Sequence, residues 1–277
     1  MVLDVVMDGS GGTRSMTADP VLVEQSPDGV ATVTLNRPDM HNALDETLIR
    51  DLTRSFDMLG SDPSCRMVLL KANGPSFCAG ADINWMMRTA QYSPEQNNAE
   101  AQNLALMMKT LNDFPKPLVA LVQGATVGGG VGIVACCDIV VASDAASFRL
   151  SEVKLGIVPA VISPYVVRAI GVRACRRYFL TAEPFNATEA KNLGLIHELV
   201  PDRMMSAAAA KLVERLSAGG PKAQAAVKDL LRRVETGPID DEVIGFTTEL
   251  IARLRASPEG REGLAAFLEK RNPKWPR

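Results

Sequence analysis

The sequence holds only two histidines, His41 and His197, and its five cysteines, Cys65, Cys78, Cys136, Cys137 and Cys175, form an odd set without a CxxC pair. That leaves neither the spacing of a zinc site nor a disulfide framework, so no metal is expected and a reducing, cytoplasmic setting fits best. Excess charge of either sign is missing too, with 30 Lys and Arg against 32 Asp and Glu and a formal net charge of -2. Without a basic field or stripe, nucleic acid and anionic membrane surfaces are not expected partners, and a polyanionic ligand must be met locally. No apolar run approaches the length of a membrane span. The first residues, with Asp4, Asp8 and Gly9-Ser-Gly-Gly12, lack the basic start and apolar stretch of a secretory signal. Residues 1–20 are expected to be a disordered extension.

What remains is an ordinary globular composition, 47% hydrophobic and 22% charged over 277 residues, enough for one catalytic domain with an appendage. Two β-branched runs, 21–25 and 30–35, flank Ser26-Pro-Asp-Gly29, the composition of a hairpin turn. Leu44, Leu48, Ile49, Leu52, Phe56 and Leu59 recur at helical spacing, and 67–70 reads as a strand. Ser93-Pro-Glu-Gln96 carries a capping Ser, a Pro at the first helical position and a Gln three residues on, so a helix is predicted from there to about Asn112. A strand at 117–122, a glycine-opened helix at 128–135 and a strand at 138–142 follow. This alternation predicts an α/β domain. After Pro201 the pattern turns helical, at 202–218, 221–236, 240–256 and 258–271, with hardly any strand signal. We divide the chain into a catalytic domain at 21–217 and a helical C-terminal region at 218–277, whose apolar faces should pack on the first domain or on another subunit.

Three stretches carry chemistry. Gly74-Pro-Ser-Phe-Cys-Ala-Gly-Ala-Asp-Ile83 follows a strand, and the small residues Ala79, Gly80 and Ala81 let a ligand approach the main chain; alone, the stretch also reads as a tight strand-to-helix turn. Gly124-Ala-Thr-Val-Gly-Gly-Gly-Val-Gly132 lies between a strand and a helix. Its first-turn N–H groups, with the positive end of the helix dipole behind them, make an anion or oxyanion site, with close helix packing as the plain alternative. It matches neither GxGxxG nor the lysine-bearing phosphate loop. In the third, Glu152 sits among apolar residues after a possible capping Ser151, where its pKa could rise enough for proton exchange with a carbon acid. A surface pairing with Lys154 or Arg149 is the alternative.

Together, two backbone sites and one carboxylate suit an enolate formed from a thioester. At this point the chain, over about residues 21–277, resembles the crotonase, or enoyl-CoA hydratase/isomerase, superfamily. The resemblance rests on Asn36-Arg-Pro with Asn42-Ala-Leu44, Phe77-Cys-Ala-Gly-Ala-Asp-Ile83, Val122-Gln-Gly with Gly128-Gly-Gly130, Cys137-Asp-Ile139, Ser151-Glu-Val-Lys-Leu-Gly156 and Phe267-Leu-Glu-Lys-Arg271. It implies a crotonase-like spiral of ββα units and an oxyanion hole built from the N–H groups of Ala81 and Gly129. It also implies a CoA thioester bound along Ala79, Gly80, Asp82, Ile83 and Gly128, Glu152 as the group exchanging the α proton, and no cofactor beyond the CoA of the substrate. Phe267 and Lys270 match positions that reach the CoA of a neighbouring subunit in a homotrimer or homohexamer.

One departure matters. Two-glutamate hydratases carry a Glu two residues after the triple glycine, and here that position is Gly132. A single Glu suits a Δ3,Δ2-enoyl-CoA isomerase. The wording Gly-Gly-Gly-Val-Gly, Ser-Glu-Val-Lys-Leu-Gly and Arg-Asn-Pro-Lys-Trp resembles instead the branch that hydrates methylglutaconyl-CoA and isohexenylglutaconyl-CoA in leucine and terpenoid breakdown. Hydration ranks first and isomerisation second; a non-catalytic acyl-CoA- or RNA-binding member of the fold is the remaining alternative. Trp85, Met86, Met87, Met107 and Met108 could line an acyl pocket but read first as core. Cys136 and Cys137 read as small buried hydrophobes, and His41 as a loop residue.

Overall fold

The structure, a computed structural model, describes residues 19–235 and 237–275; most of the expected extension at 1–20 lies outside them. The hairpin is present: β1 (Val21–Gln25) pairs antiparallel with β2 (Val30–Leu35). The turn closes through Gly29 N–H to the Ser26 carbonyl at 2.9 Å. From β2 the sheet continues in parallel through β3 (Met67–Ala72), β4 (Leu118–Val122), β6 (Ile139–Ser143) and β9 (Glu198–Val200), in the order β1-β2-β3-β4-β6-β9. Parallel neighbours need crossovers, and helices supply most of them. Helix α1 (Glu46–Ser61) connects β2 to β3, while α2 (Ile83–Thr89) and α3 (Pro94–Asn112) lie between β3 and β4.

Helices α1 and α3 form where the sequence places them. Asp45 caps α1 by accepting from Leu48 N–H at 2.8 Å. Its apolar stripe, Leu48, Ile49, Leu52, Phe56 and Leu59, is buried against α3 and the sheet, where Phe56 meets Phe114 edge to face at 5.1 Å. At α3 the predicted capping box is complete, with Ser93 accepting from Gln96 N–H and the Gln96 side chain accepting from Ser93 N–H.

A second, three-stranded sheet joins β5 (Ala125–Val127), β7 (Ser147–Arg149) and β8 (Phe185–Asn186). Helix α4 (Gly129–Ala135) leaves β5 directly, and α5 (Ser163–Thr181) follows a 3-10 turn at Glu152–Leu155. α6 (Ala187–Asn192) then leads to β9.

The final part is helical as the periodicity predicts: α7 (Met205–Ser217), α8 (Pro221–Val234), α9 (Asp241–Ala256) and α10 (Pro258–Leu268). Polar ties hold it to the rest of the chain. Arg66 donates to the Gly219 carbonyl at 2.8 Å, and Lys228 reaches Asp138 at 2.6 Å and the Lys116 carbonyl at 3.1 Å. The buried carboxylate of Glu259 accepts from the first-turn N–H groups of Lys222 and Ala223, so it caps α8 from α10. Large apolar side chains stay exposed on this part, Ile239, Phe267 and Leu268 most of all.

Candidate functional site

The two glycine-rich stretches lie side by side. Phe77 N–H donates to the Gln123 carbonyl at 2.9 Å, Cys78 N–H to Ala125 at 3.2 Å, and Val127 N–H back to Cys78 at 2.9 Å. At Gly130 a Cβ would come within 2.7 Å of the Cys78 carbonyl oxygen, so this contact requires a bare backbone.

A third segment locks the 79–82 loop from the other side. Ala79 N–H donates to the His41 carbonyl at 3.0 Å, Leu44 N–H to Gly80 at 2.7 Å and Asp82 N–H to Leu44 at 2.8 Å. Among the described residues the N–H of Ala81, held between these bonds, has no acceptor, and neither does that of Gly129 at the first position of α4. Two main-chain donors on adjoining segments are therefore free, with the dipole of α4 behind the second.

Glu152 stands beside them. A Cβ on Gly128, whose φ is +50°, would lie 3.0 Å from Glu152 Oε1, so this glycine serves both the backbone conformation and the room for the carboxylate. Glu152 Oε2 is buried without a hydrogen-bond partner. Burial raises the Glu152 pKa above 4.5, with the nearby N–H of its own backbone acting slightly against it. The surface-pairing alternative does not hold: Arg149 donates to the Ala182 carbonyl at 2.9 Å and Lys154 is exposed. Ser151 makes no capping bond.

Other expected site residues sort by what they touch. Ala81 and Ile83 are exposed, whereas Asp82 is buried and its carboxylate is fully engaged. It accepts from Asn84 N–H at 2.8 Å and Trp85 N–H at 3.2 Å, and pairs with Arg37 at 3.2 Å. Asp82 thus shapes the loop with its side chain and leaves only main chain to a ligand. Phe267 is 80% exposed one residue before the end of α10, and Lys270 follows that helix. Met107 and Met108 are fully buried and Trp85 nearly so, as the core reading requires, while Met87 is exposed. All five cysteines are buried and unpaired. His41 is a loop residue at φ +50° whose Nδ1 lies 3.0 Å from Ser76 Oγ.

At position 132, where two-glutamate hydratases carry a Glu, there is no free space for a side chain. A Cβ there would fall 2.3 Å from Ile162 Cγ2, 2.8 Å from Ile162 Cβ and 3.1 Å from Met108 Cε. Ile162 and Met108 occupy the room that a side chain at 132 would need.

Arg37 was visible in the sequence only as part of a motif. Its guanidinium binds the Ala43 carbonyl, Asp45 at 2.8 Å and Asp82 at 3.2 Å, while its N–H donates to Asn42 Oδ1 at 2.8 Å. It joins the 37–45 segment to the loop that presents Ala81.

Two free amides near a half-buried carboxylate whose Oε2 has no partner are groups that can polarise a carbonyl oxygen and move a proton. The comparison with known families agrees over nearly the whole chain. Residues 25–277 match the model of the enoyl-CoA hydratase/isomerase family, and the chain belongs to that family. A solved enoyl-CoA hydratase from Shewanella pealeana is 48% identical, with a TM-score of 0.89 over 92% of this chain and 96% of its own. The 2,3-dehydroadipyl-CoA hydratase of Escherichia coli is 31% identical over 88% of this chain and 94% of its own length. The mevalonyl-coenzyme A hydratase of Aspergillus fumigatus is 30% identical over 94% and 96%.

Proposed function

We propose that the protein adds water across the α,β double bond of an enoyl-CoA thioester, with Ala81 and Gly129 N–H holding the thioester oxygen and Glu152 handling the proton at the α carbon. The observation that carries this reading is the pair of unpaired amides near a half-buried carboxylate whose Oε2 has no partner and that no cation neutralises. Water attacks the β carbon: its oxygen forms the C–O bond while one O–H bond breaks, and that proton leaves to solvent, from which Glu152 is later reprotonated. The double-bond electrons pass into the thioester, whose oxygen becomes an enolate oxygen between the two N–H groups. Protonated Glu152 then gives its proton to the α carbon as the carbonyl reforms. Each such N–H contributes about 3 kcal/mol to the transition state, since the donor is already in place when the charge develops.

The CoA arm runs along Ala79, Gly80, Asp82, Ile83 and Gly128 through main-chain contacts, and CoA arrives with the substrate, so no separate cofactor enters this scheme. Phe267 and Lys270 of one subunit reach the CoA of another in a trimer or hexamer, which the exposed apolar residues of α9 and α10 support. The extension to residue 20, the catalytic part at 21–217 and the assembling part at 218–277 belong to the same proposal, as does a cytoplasmic site of action, favoured by five unpaired cysteines. Among the described residues no helix is long and apolar enough to cross a membrane. For the acyl group we favour a methylglutaconyl-type chain, on the motif wording above. Double-bond isomerisation by Glu152 alone is the second reading, and the closure of position 132 by Ile162 favours it.

Incubation with crotonyl-, 3-hexenoyl- and methylglutaconyl-CoA in deuterated water separates these readings. The proposal expects water addition to crotonyl- or methylglutaconyl-CoA with deuterium at the α carbon. Double-bond migration in 3-hexenoyl-CoA without hydration of either enoyl thioester contradicts it and leaves the isomerase.

A further inference from the structure

Among the described residues, two carboxylate oxygens are buried without a hydrogen-bond partner: Oε2 of Glu152 and Oε2 of Glu100. The first belongs to the site already described. The second lies on α3. An orphaned, desolvated carboxylate oxygen costs stability, so an unexplained one is a candidate for work on a ligand.

The register of α3 against α4 places Glu100 at the right end of the site. Met108 Cε stands against Gly132, and the cavity of about 450 Å³ at the far end of α4 is lined by Asn112 together with Val134, Ala135 and Cys136. Moving from Met108 to Asn112 therefore accompanies the move from Gly132 towards Cys136, and the two helices run side by side in the same direction. In the reverse direction α3 passes the N-terminus of α4. Glu100, Leu104, Met107, Met108 and Leu111 share one face at helical spacing, and Leu104 to Leu111 pack on the core. At 1.5 Å per residue, Glu100 lies about 12 Å before Met108, whereas Gly128 lies about 6 Å before Gly132. This puts Glu100 roughly one helical turn beyond Gly128, on the side where the free amide of Gly129 and the carboxylate of Glu152 meet.

We propose that Glu100 is the second carboxylate of the site and the base that orients and deprotonates the water added at the β carbon. It comes from α3 because Ile162 and Met108 close the route from position 132. The inference rests on the hydratase reading and completes its proton account. As the water oxygen bonds to the β carbon, its proton passes to Glu100, and the proton delivered to the α carbon comes from Glu152. Proton exchange with solvent then returns Glu100 to the carboxylate and Glu152 to the acid, so the net change is one water added.

The test compares wild type, Glu100→Gln, Glu100→Asp and Glu152→Gln in two assays, hydration of crotonyl-CoA and exchange of the α protons of butyryl-CoA with deuterated water. The exchange needs the oxyanion donors and Glu152 but no added water. Glu100→Gln is expected to lose about 100-fold or more in kcat for hydration, with KM and α-proton exchange near wild type, and Glu100→Asp is expected to recover part of the loss. Glu152→Gln is expected to lose both activities. Hydration at the wild-type rate in Glu100→Gln overturns the proposal. So does an equal loss of hydration and exchange, which makes Glu100 a support for Glu152 or for the fold; melting temperatures of the variants separate those two. A wild-type protein that exchanges α protons but hydrates no enoyl-CoA refutes the hydratase reading itself, an outcome distinct from either result on Glu100.

Discussion

Removal of a single hydrogen from the site is possible at Gly129, where a proline can delete the donor without taking any other polar group away. Gly129 is the first residue of α4, the helical position at which proline is best tolerated, and Gly128 before it is not in the α region. The side chain has a steric cost, because a Cβ at 129 meets Leu44 Cδ1 at 2.5 Å. That atom is the end of a flexible side chain with its Cγ at 3.9 Å, so a rotamer change relieves the clash. Gly129→Ala carries the same Cβ and keeps the N–H, so the ratio of the two variants reads the loss of the donor together with the ring Cδ that takes its place. The loss expected from Ala to Pro is about 3 kcal/mol, roughly 100- to 1,000-fold in kcat for crotonyl-CoA hydration, with KM little changed. The assay is the fall in absorbance of the conjugated thioester, with melting curves to confirm that both variants fold. Equal kcat values in Ala and Pro variants refute the oxyanion role of this amide.

Three further outcomes follow from the geometry. Burial raises the Glu152 pKa above 4.5, so the folded state holds this proton more tightly than the unfolded chain; that stabilisation is complete below about pH 4.5 and is lost as pH rises through the raised value. The melting temperature of wild type relative to Glu152→Gln should therefore fall from about pH 4 to about pH 8, and a constant difference contradicts the environment described for Glu152. Arg37→Met leaves the buried Asp82 carboxylate without its cation, and chemical denaturation should show a loss of about 3 kcal/mol with a drop in kcat as the Ala81 loop loosens; a variant of wild-type stability contradicts the clamp. Gly132→Ala should cost about 1–3 kcal/mol through the contact with Ile162, and Ile162→Ala should relieve part of it by removing the 2.3 Å contact while leaving the one at 2.8 Å; additive effects in the double variant refute the packing.

What the sequence made legible was local. The capping box at Ser93–Gln96, the stripe on α1 and the four helices after Pro201 each depend on residues within a few positions of one another. Elements too short for a period were not seen, such as β5, β7 and β8, with three, three and two residues. Helix α5 was also missed, because Gly171 at φ +75° breaks its course and with it the apolar pattern. The site divides in the same way. Its glycines and Glu152 stand out in the sequence, but the wedge of Ile162 into Gly132 joins residues 30 apart in the sequence, and the Arg37 clamp spans 45. The orphaned oxygen of Glu100 is visible only once α3 has a direction relative to α4. A carboxylate on a polar helix turn carries no sequence signal that separates it from its exposed neighbours at Glu95 and Asn97.

The role proposed for Glu152, carrying the proton to and from the α carbon of a thioester held by two backbone amides, is tested by exchange of the α protons of butyryl-CoA in deuterated water. Wild type should exchange at a rate well above the uncatalysed one, and Glu152→Gln, which keeps the shape of the side chain, should lose about 100-fold or more while binding butyryl-CoA unchanged. Exchange that persists in Glu152→Gln at the wild-type rate contradicts the account and assigns the proton to another group.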